Sequence, residues 1–560
     1  MAFPRLIPAL IGVLSVTLFA SRGMAQADTL RRVGAPTFVP VAGPVEDHVR
    51  LLQLEGAWPA DRFLLRSPSV LLGAIELPRP LTLELIAPEV AFQYNHGLAF
   101  SMNDGSLWAG RGPNAMARAG LIAEWWRARL VLAPELTYSA NEHYTLVDTA
   151  VFAPPGARWS AYASPWFLGE AGMDFPLRMG DRAIRRLHPG QSVLMIDAGP
   201  VTVGGGTENN WWGPGMWNAL VLSNNAPGFP HLFVRTSAPI VTDWGIFDAR
   251  LLIGGLQESD YYDFDPDNDL RSISMLGLTW QPPFDTNLTL GATRAVFAAA
   301  SGWGDVFADS YQVFADVGAP NLRTDFPQPV RPGRDQLFSL FFRWMLPGGR
   351  IVPGEGVEVY GEWGRATQPR SIRDLMVDLN HSQAYTVGMQ WLGSPVSDAG
   401  RFRARGELTN LEKSPTFKTR PLDTWYASRA VDQGYTNRGQ VLGAAIGPGS
   451  SSQNVGVGFV SALWDVEGVI TRIRWQKDIQ AEPIVYGGGQ GWCEQDVTLA
   501  SGIRGNVRSP YGWLSVSYLV GKRYNPFFSP RQPVCPGTNI GDVPAHTFSI
   551  SFQPAVSWRR

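Results

Sequence analysis

The chain is 560 residues long, 45% hydrophobic and 11% aromatic but only 17% charged, with 60 Gly, 44 Pro, 28 Phe, 21 Trp and 15 Tyr. So many aromatic residues among so few charges exclude a disordered chain, and a net charge of −2 with no basic run excludes a nucleic-acid binder. The mean hydropathy of −0.07 suits a soluble protein, so composition alone does not separate one from a membrane barrel.

Residues 1–27 read as a secretory signal peptide: Arg5 is the positive n-region, Leu6 to Ala20 the apolar h-region, and Ala25-Gln26-Ala27 an A-x-A cleavage site. Beyond Ala27 no apolar run reaches the roughly 18 residues of a spanning helix. An exported chain of this kind is soluble, or it crosses a membrane as a closed barrel. Residues 28–80 form an N-terminal segment in which Pro44 to Glu55 carries helix signals: Pro at the start, acids in the first turn and Gly56 just after. This short helix is expected on the periplasmic side.

From about Leu83 the sequence alternates apolar and polar residues in segments of about ten, the signature of a transmembrane strand. Val357, Val359 and Trp363 oppose Glu358, Tyr360 and Glu362; Tyr385, Val387, Met389 and Trp391 oppose Thr386, Gly388 and Gln390; Phe402, Ala404 and Leu408 oppose Arg401, Arg403, Arg405 and Glu407. Val469, Thr471, Ile473 and Trp475 are read as an apolar face against Arg472, Arg474 and Gln476. Near the end, Leu514, Val516, Tyr518 and Val520 alternate with Ser515 and Ser517, and Phe548, Ile550 and Phe552 with Ser549 and Ser551. A lipid-facing Arg near the midplane costs about 2–4 kcal/mol, so the Arg-bearing faces are assigned to the lumen, with Glu358, Glu362, Arg403, Arg405, Arg472 and Arg474 neutralising one another there. A soluble β-sandwich would bury the apolar face instead and would rarely need so many long strands.

Short turns at Pro282 to Asn287, Pro347 to Glu355, Gly393 to Gly400, Asp465 to Gly468 and Asn506 to Tyr511 alternate with long connections. The long ones lie near 94–118, 141–164, 205–230, 259–270, 300–335, 367–381, 413–452, 478–494 and 524–543. Short turns belong to the periplasmic side and long loops outside. The fold expected over 81–560 is therefore all-β, a transmembrane antiparallel β-barrel of about 18 strands. One division, at Arg127 between Glu124 and Leu130, has no clear turn residue.

Three loop segments stand out: Asp104-Gly105-Ser106-Leu107-Trp108-Ala109-Gly110-Arg111-Gly112; Glu208-Asn209-Asn210-Trp211-Trp212-Gly213-Pro214-Gly215, with Leu222-Ser223-Asn224-Asn225-Ala226 after it; and Gly434-Tyr435-Thr436-Asn437-Arg438-Gly439-Gln440-Val441-Leu442-Gly443. Together they resemble the motifs of Wzi-type capsule assembly proteins, in order along most of the mature chain. The resemblance implies an eighteen-stranded outer-membrane barrel with a periplasmic helical N-terminal part and a lectin-like, non-enzymatic role holding capsular polysaccharide at the cell surface. The helical part is short here, and the alternation stops at Phe552, with Trp558 third from the end.

By loop length all three motifs fall at the outer mouth. Asp104, Trp108, Arg111, Asn209, Asn210, Trp211, Trp212, Asn224, Asn225, Tyr435, Asn437 and Arg438 are the candidate polysaccharide contacts. Aromatic rings stack on pyranose faces, amides and guanidinium bond hydroxyls or uronate carboxylates, and Gly admits close backbone approach. The competing reading makes Trp211, Trp212 and Trp217 girdle anchors at the membrane interface and the Asn and Gly residues turn formers.

Asp260, Asp263, Asp265, Asp267 and Asp269 open like a calcium loop, but Leu270 and Leu276 stand where Gly and a bidentate Glu are required, which leaves a solvated acidic loop. The runs Gly204 to Gly206 and Gly487 to Gly489 precede no helix, so they do not cradle phosphate. Cys493 and Cys535 sit in adjacent outer loops and are expected to form a disulfide, with two free thiols as the alternative. None of the seven His is in H-E-x-x-H spacing, and no G-x-S-x-G or C-x-x-C occurs. The function expected is non-enzymatic, without cofactor or metal: binding of capsular or exopolysaccharide at the outer mouth of a barrel in outer-membrane lipids, alongside export machinery. A diffusion porin is the alternative, and a barrel hydrolase the third reading.

Overall fold

A computed structural model describes residues 38–60, 62–73, 79–146, 160–167, 172–263, 269–315, 333–349, 352–366, 371–396, 399–420, 422–481, 495–528 and 542–555. The signal peptide, Cys493 and Cys535, Asp265, Asp267, Gly487 to Gly489 and Trp558 lie outside them.

Eighteen antiparallel strands close into one barrel. They are β1 Arg79–His96, β2 Gly112–Trp126, β3 Ala128–Leu132 with Glu135–Ser139, β4 Ile184–His188 with Val193–Asp197, β5 Val201–Gly206, and β6 His231–Thr236 with Ile240–Thr242. There follow β7 Gly245–Gln257, β8 Leu270–Gln281, β9 Leu288–Ala300, β10 Arg334–Pro347, β11 Gly356–Arg365, β12 Gln383–Leu392, β13 Arg401–Asn410 and β14 Ser451–Val460. The last are β15 Trp464–Arg474, β16 Val497–Ser509, β17 Gly512–Tyr524, and β18 Val543–Pro544 with His546–Pro554. β18 closes the ring on β1, with Val90 opposite Phe552 and His96 opposite His546. Arg127 alone separates β2 from β3, so the division without a turn signal stands. The nine long connections all join strand ends at one end of the barrel, as expected from loop length, although the second runs on to 183 instead of ending at 164.

The alternation holds along most of the wall. Glu358, Tyr360, Thr386, Gln390, Arg403, Arg405 and Glu407 are buried inside, while Val387, Met389, Phe402 and Leu408 are exposed outside. At the short-turn end the outward aromatics bind the turns: the indole nitrogens of Trp280, Trp344 and Trp391 donate to Trp244 O, an Asp285 carboxylate oxygen and Pro353 O at 2.8, 2.9 and 2.7 Å. Such amphipathic rings suit a membrane–water interface.

One strand reverses the expectation. In β15 it is Val469, Thr471 and Ile473 that face inward, in phase with Glu467, while Val466 and Ile470 are exposed outside. The turn before it is 461–463, so Asp465 to Gly468 belong to the strand. Arg472 and Arg474 are therefore not lumen charges. They sit near the outer rim, where Arg472 bonds Gln453 at 2.9 Å and Arg474 pairs with Glu412. The reason is that the lumen beside Ile473 is itself apolar, so an apolar residue is stable on the inner face there.

The N-terminal helix α1, Pro44–Leu54, has its start and stop where Pro44 and Gly56 place them. It lies within the barrel wall at the short-turn end. Val45, Val49 and Leu52 pack with Trp58, Phe63 and Trp513, and Leu51 and Leu54 with Met345, Leu392 and Val460.

Candidate functional site

The lumen is filled from both ends. From the short-turn end, α1 is bonded to the wall by charges that the barrel strands do not fully satisfy among themselves. Arg50 and Arg343 share Glu358, Asp47 accepts from Arg403 and Arg405 at 2.7 and 2.9 Å, and Arg405 reaches on to Glu467 at 2.6 Å. Buried charges are tolerated only when paired and hydrogen-bonded, and Glu358, Arg403 and Arg405 obtain part of that pairing from the N-terminal segment.

From the outer end, the loop carrying Asn209 to Gly215 descends onto that segment. Trp211–Trp212 forms a two-residue strand against Leu65–Arg66, with Trp212 opposite Leu65. Both indoles are 0% exposed, and Arg66 lies 5.0 Å over the Trp211 ring. Gly213 has φ +119, and a Cβ there would come 2.7 Å from a Glu362 oxygen, so this position requires glycine. Pro214 O and Gly215 O accept from Arg50. Glu407 then takes the backbone N–H groups of Met216, Trp217 and Asn218 at 2.6, 3.1 and 2.9 Å and the Tyr360 hydroxyl at 2.8 Å. Glu208 is fully enclosed, accepting from Ser67, Ser69 and Arg250.

The other two motifs lock onto this loop through side-chain bonds to backbone. Asn224 donates to Asn103 O at 2.8 Å while Gly105 N donates to Asn224 O at 2.7 Å. Asn225 donates to Val441 O at 3.0 Å, the Tyr435 hydroxyl to Val221 O at 3.0 Å, and Asn437 to Pro227 O at 3.0 Å. Asn209 exchanges bonds with Gln191 and donates to Ala226 O, and Asn210 donates to Glu208 O. Asp174 joins two further loops by accepting from the Ser259 N–H at 2.8 Å and hydroxyl at 2.6 Å.

All three motifs therefore converge, but chiefly as the interior of a plug. Asn209, Asn210, Trp211, Trp212, Asn225, Tyr435 and Asn437 are buried. The two tryptophans offer no face to a ligand in this arrangement, and they do not lie on the lipid side either. Asp104, Trp108, Arg111, Asn224 and Arg438 keep partial exposure. Trp108 and Arg438 border a small cleft at the outer rim with Arg186, His188 and Gln440; Arg186 and His188 were not among the expected contacts, since charged and aromatic residues in strands read as wall. Arg438 is held at 2.8 Å by Gln257, and Arg111 donates to His143 O at 2.7 Å.

Between plug and wall remains a cavity of about 420 Å³ with a mixed polar and apolar lining. Ser515, Ser517, Ser549 and Ser551 line the wall side, Asp47, Asp104 and Trp217 the plug side. Burial pushes the Asp104 carboxyl up to about 7, although it accepts from Met102 N and the Ser101 hydroxyl.

The family model for the capsule assembly protein Wzi matches residues 96–459. Among solved structures, an Escherichia coli outer-membrane protein, Wzi, described as a carbohydrate-binding β-barrel involved in group 1 capsule assembly, is similar at 10% identity and a TM-score of 0.54, covering 96% of this chain and 98% of its own. OccAB2 of Acinetobacter baumannii, at 8% identity and a TM-score of 0.41, covers 86% and 99%; OprD of Pseudomonas aeruginosa, at 8% and 0.39, covers 86% and 97%. No curated protein matches the chain.

Proposed function

The chain belongs to the Wzi capsule assembly family, and from that premise we propose that it holds capsular or exopolysaccharide at its outer mouth and so assists capsule assembly and surface attachment. The role is non-enzymatic. Export by residues 1–27, residues 28–80 as an N-terminal segment on the periplasmic side, seating in outer-membrane lipids and contact with polysaccharide export machinery belong to the same reading.

The observation that carries this reading is the interlocked plug. A diffusion pore needs an open lumen, whereas here the loops spend their Asn, Tyr and Trp side chains on filling it. What remains at the rim is Trp108, Arg111, Arg186 and Arg438: an aromatic ring for a pyranose face and guanidinium groups for hydroxyls or carboxylates. Binding is therefore assigned to these partly exposed members and positioning to the buried ones. Deleting the gene in its host and measuring cell-bound against shed polysaccharide tests the role: shedding is expected, and full retention overturns it. Large stable single-channel currents in planar bilayers would instead return the porin.

A further inference from the structure

The connection between β9 and β10 does something that a long outer loop has no need to do. Its helix Trp303–Ala308 and the 3-10 turns Asp309–Phe314 lie against the outside of the wall over β7, β8 and β9. The direction follows from register. Ile273, Met275, Ala295, Phe297 and Leu337 face the plug, and Phe297 meets Tyr435 at 5.3 Å. Their alternating neighbours Ser272, Ser274, Arg294, Val296 and Gln336 must therefore point to the lipid side. There Ser272, Ser274, Val296 and Gln336 are nonetheless buried, and the segment accounts for it. Asp309 accepts from Ser272 at 2.6 Å, and Arg294 donates to Val313 O and Ala315 O at 2.9 Å each and to Gln336 at 2.8 Å. A Cβ on Gly255 would sit 3.0 Å from the Trp303 ring, so the glycine leaves the wall room for that ring.

The opposite face of the segment is aromatic. Trp303, Phe307, Tyr311 and Phe314 are 46, 54, 58 and 64% exposed, while Val306, Gln312 and Val313 pack underneath. Spacing of four, four and three residues sets the rings in one stripe. Depth follows from the wall. Trp280, in the aromatic belt of the short-turn end, and Ser272 lie on the same face of β8. At about 3.4 Å per residue along a strand tilted by about 40°, the wall climbs roughly 21 Å between them, against an apolar band about 25 Å tall.

We propose that residues 303–314 form a strap embedded in the outer leaflet, its aromatic stripe against lipid acyl chains and its polar underside shielding Ser272, Arg294 and Gln336 from them. The occupant of the exposed face is lipid because the stripe continues the apolar belt formed below it by Leu278, Leu340 and Phe342, all exposed on the same side of the wall. A wall Arg without this cover would meet hydrocarbon, which is costly at such a depth; the strap and the residue after it supply it with the carbonyls of Val313 and Ala315. The proposal is independent of polysaccharide binding.

The test places a nitroxide at Phe307→Cys and at Phe314→Cys, with Cys493→Ser and Cys535→Ser, in the full mature chain reconstituted in phosphatidylcholine vesicles, using only protein that keeps heat-modifiable migration. Oxygen accessibility relative to a nickel chelate should match a label at Leu278→Cys and exceed one at Asp260→Cys several-fold. A water-like ratio overturns the proposal, and so does exclusion of both reagents, which would mean a second copy covers the stripe. Should the cysteine variants not fold, brominated acyl chains should quench the wild type more than Trp303→Phe; equal quenching overturns it.

Discussion

Arg50 and Glu358 tie the N-terminal helix to the barrel wall: the Arg50 Nε donates to the two carboxylate oxygens at 3.0 and 3.1 Å, and the side chains are 3% and 0% exposed. Arg343 donates to the same carboxylate at 2.7 Å and Gln390 at 3.0 Å. One acid thus compensates two guanidinium groups from different parts of the chain.

Glu358→Ala should destabilise the folded barrel by about 3–5 kcal/mol, the cost of leaving buried charge unpaired. Arg50→Ala should cost less, because Arg343 still pairs the acid, yet it should release α1. Urea unfolding gives the stability, and hydrogen exchange over 44–54 gives the release. Arg50→Ala costing more than Glu358→Ala would contradict this arrangement.

Trp211→Ala with Trp212→Ala should loosen the plug rather than remove a sugar contact. Truncating a buried Trp costs about 3–5 kcal/mol, and here the loss falls on the contacts between loop and N-terminal segment. Protease sensitivity of the loop near residue 220 should rise while heat-modifiable migration persists. Unchanged sensitivity would show that these rings do not hold the plug.

The eighteen strands were legible because lipid on one side and a charged interior on the other impose a period of two on residues such as Val357 to Trp363. That logic failed at β15, where Ile473 meets an apolar plug and Arg472 sits at the rim, so both faces carry what the other was expected to carry. It failed also for Trp211: stacking on sugar, anchoring in a girdle and filling a core all call for the same ring, and only the partner strand Leu65–Arg66, about 145 residues earlier, distinguishes them. The strap of Trp303 to Phe314 was hidden for a related reason, since its aromatic spacing was read only as part of a long loop.

The latch at Asp174 should weaken as pH rises. Burial pushes this carboxyl from the ordinary aspartate value of 3.8 up to about 6, against the opposing effect of its bonds from Ser259. A raised carboxylate pKa means the fold favours the protonated form, so its contribution is full below about 4 and is lost as pH climbs through about 6, up to about 3 kcal/mol in all. Hydrogen exchange of residues 172–180 should therefore be slower at pH 4 than at pH 7.5 after correction for the intrinsic rate. Asp174→Asn, which keeps an acceptor but cannot ionise, should flatten the difference. Persistence of the full difference in that variant would assign it elsewhere.

Polysaccharide binding should divide the motif residues by exposure. Trp108→Ala and Arg438→Gln remove a ring and a guanidinium from the rim cleft, and each should weaken binding of the purified host polysaccharide by about 1–2 kcal/mol, roughly five- to thirtyfold in Kd. Neither should loosen the contacts between the plug loops, because Trp108 has no hydrogen bond from its indole nitrogen, the Arg438 guanidinium bonds Gln257 of the wall, and the buried bonds of Asn225, Tyr435 and Asn437 do not pass through either side chain. Protease sensitivity near residue 220 should stay at the wild-type level. Tyr435→Phe, which removes only the buried hydroxyl bond to Val221 O, should do the reverse and leave affinity within about twofold while costing about 1 kcal/mol of stability. Loss of affinity in Tyr435→Phe with none in Trp108→Ala or Arg438→Gln would move the contact from the rim into the plug.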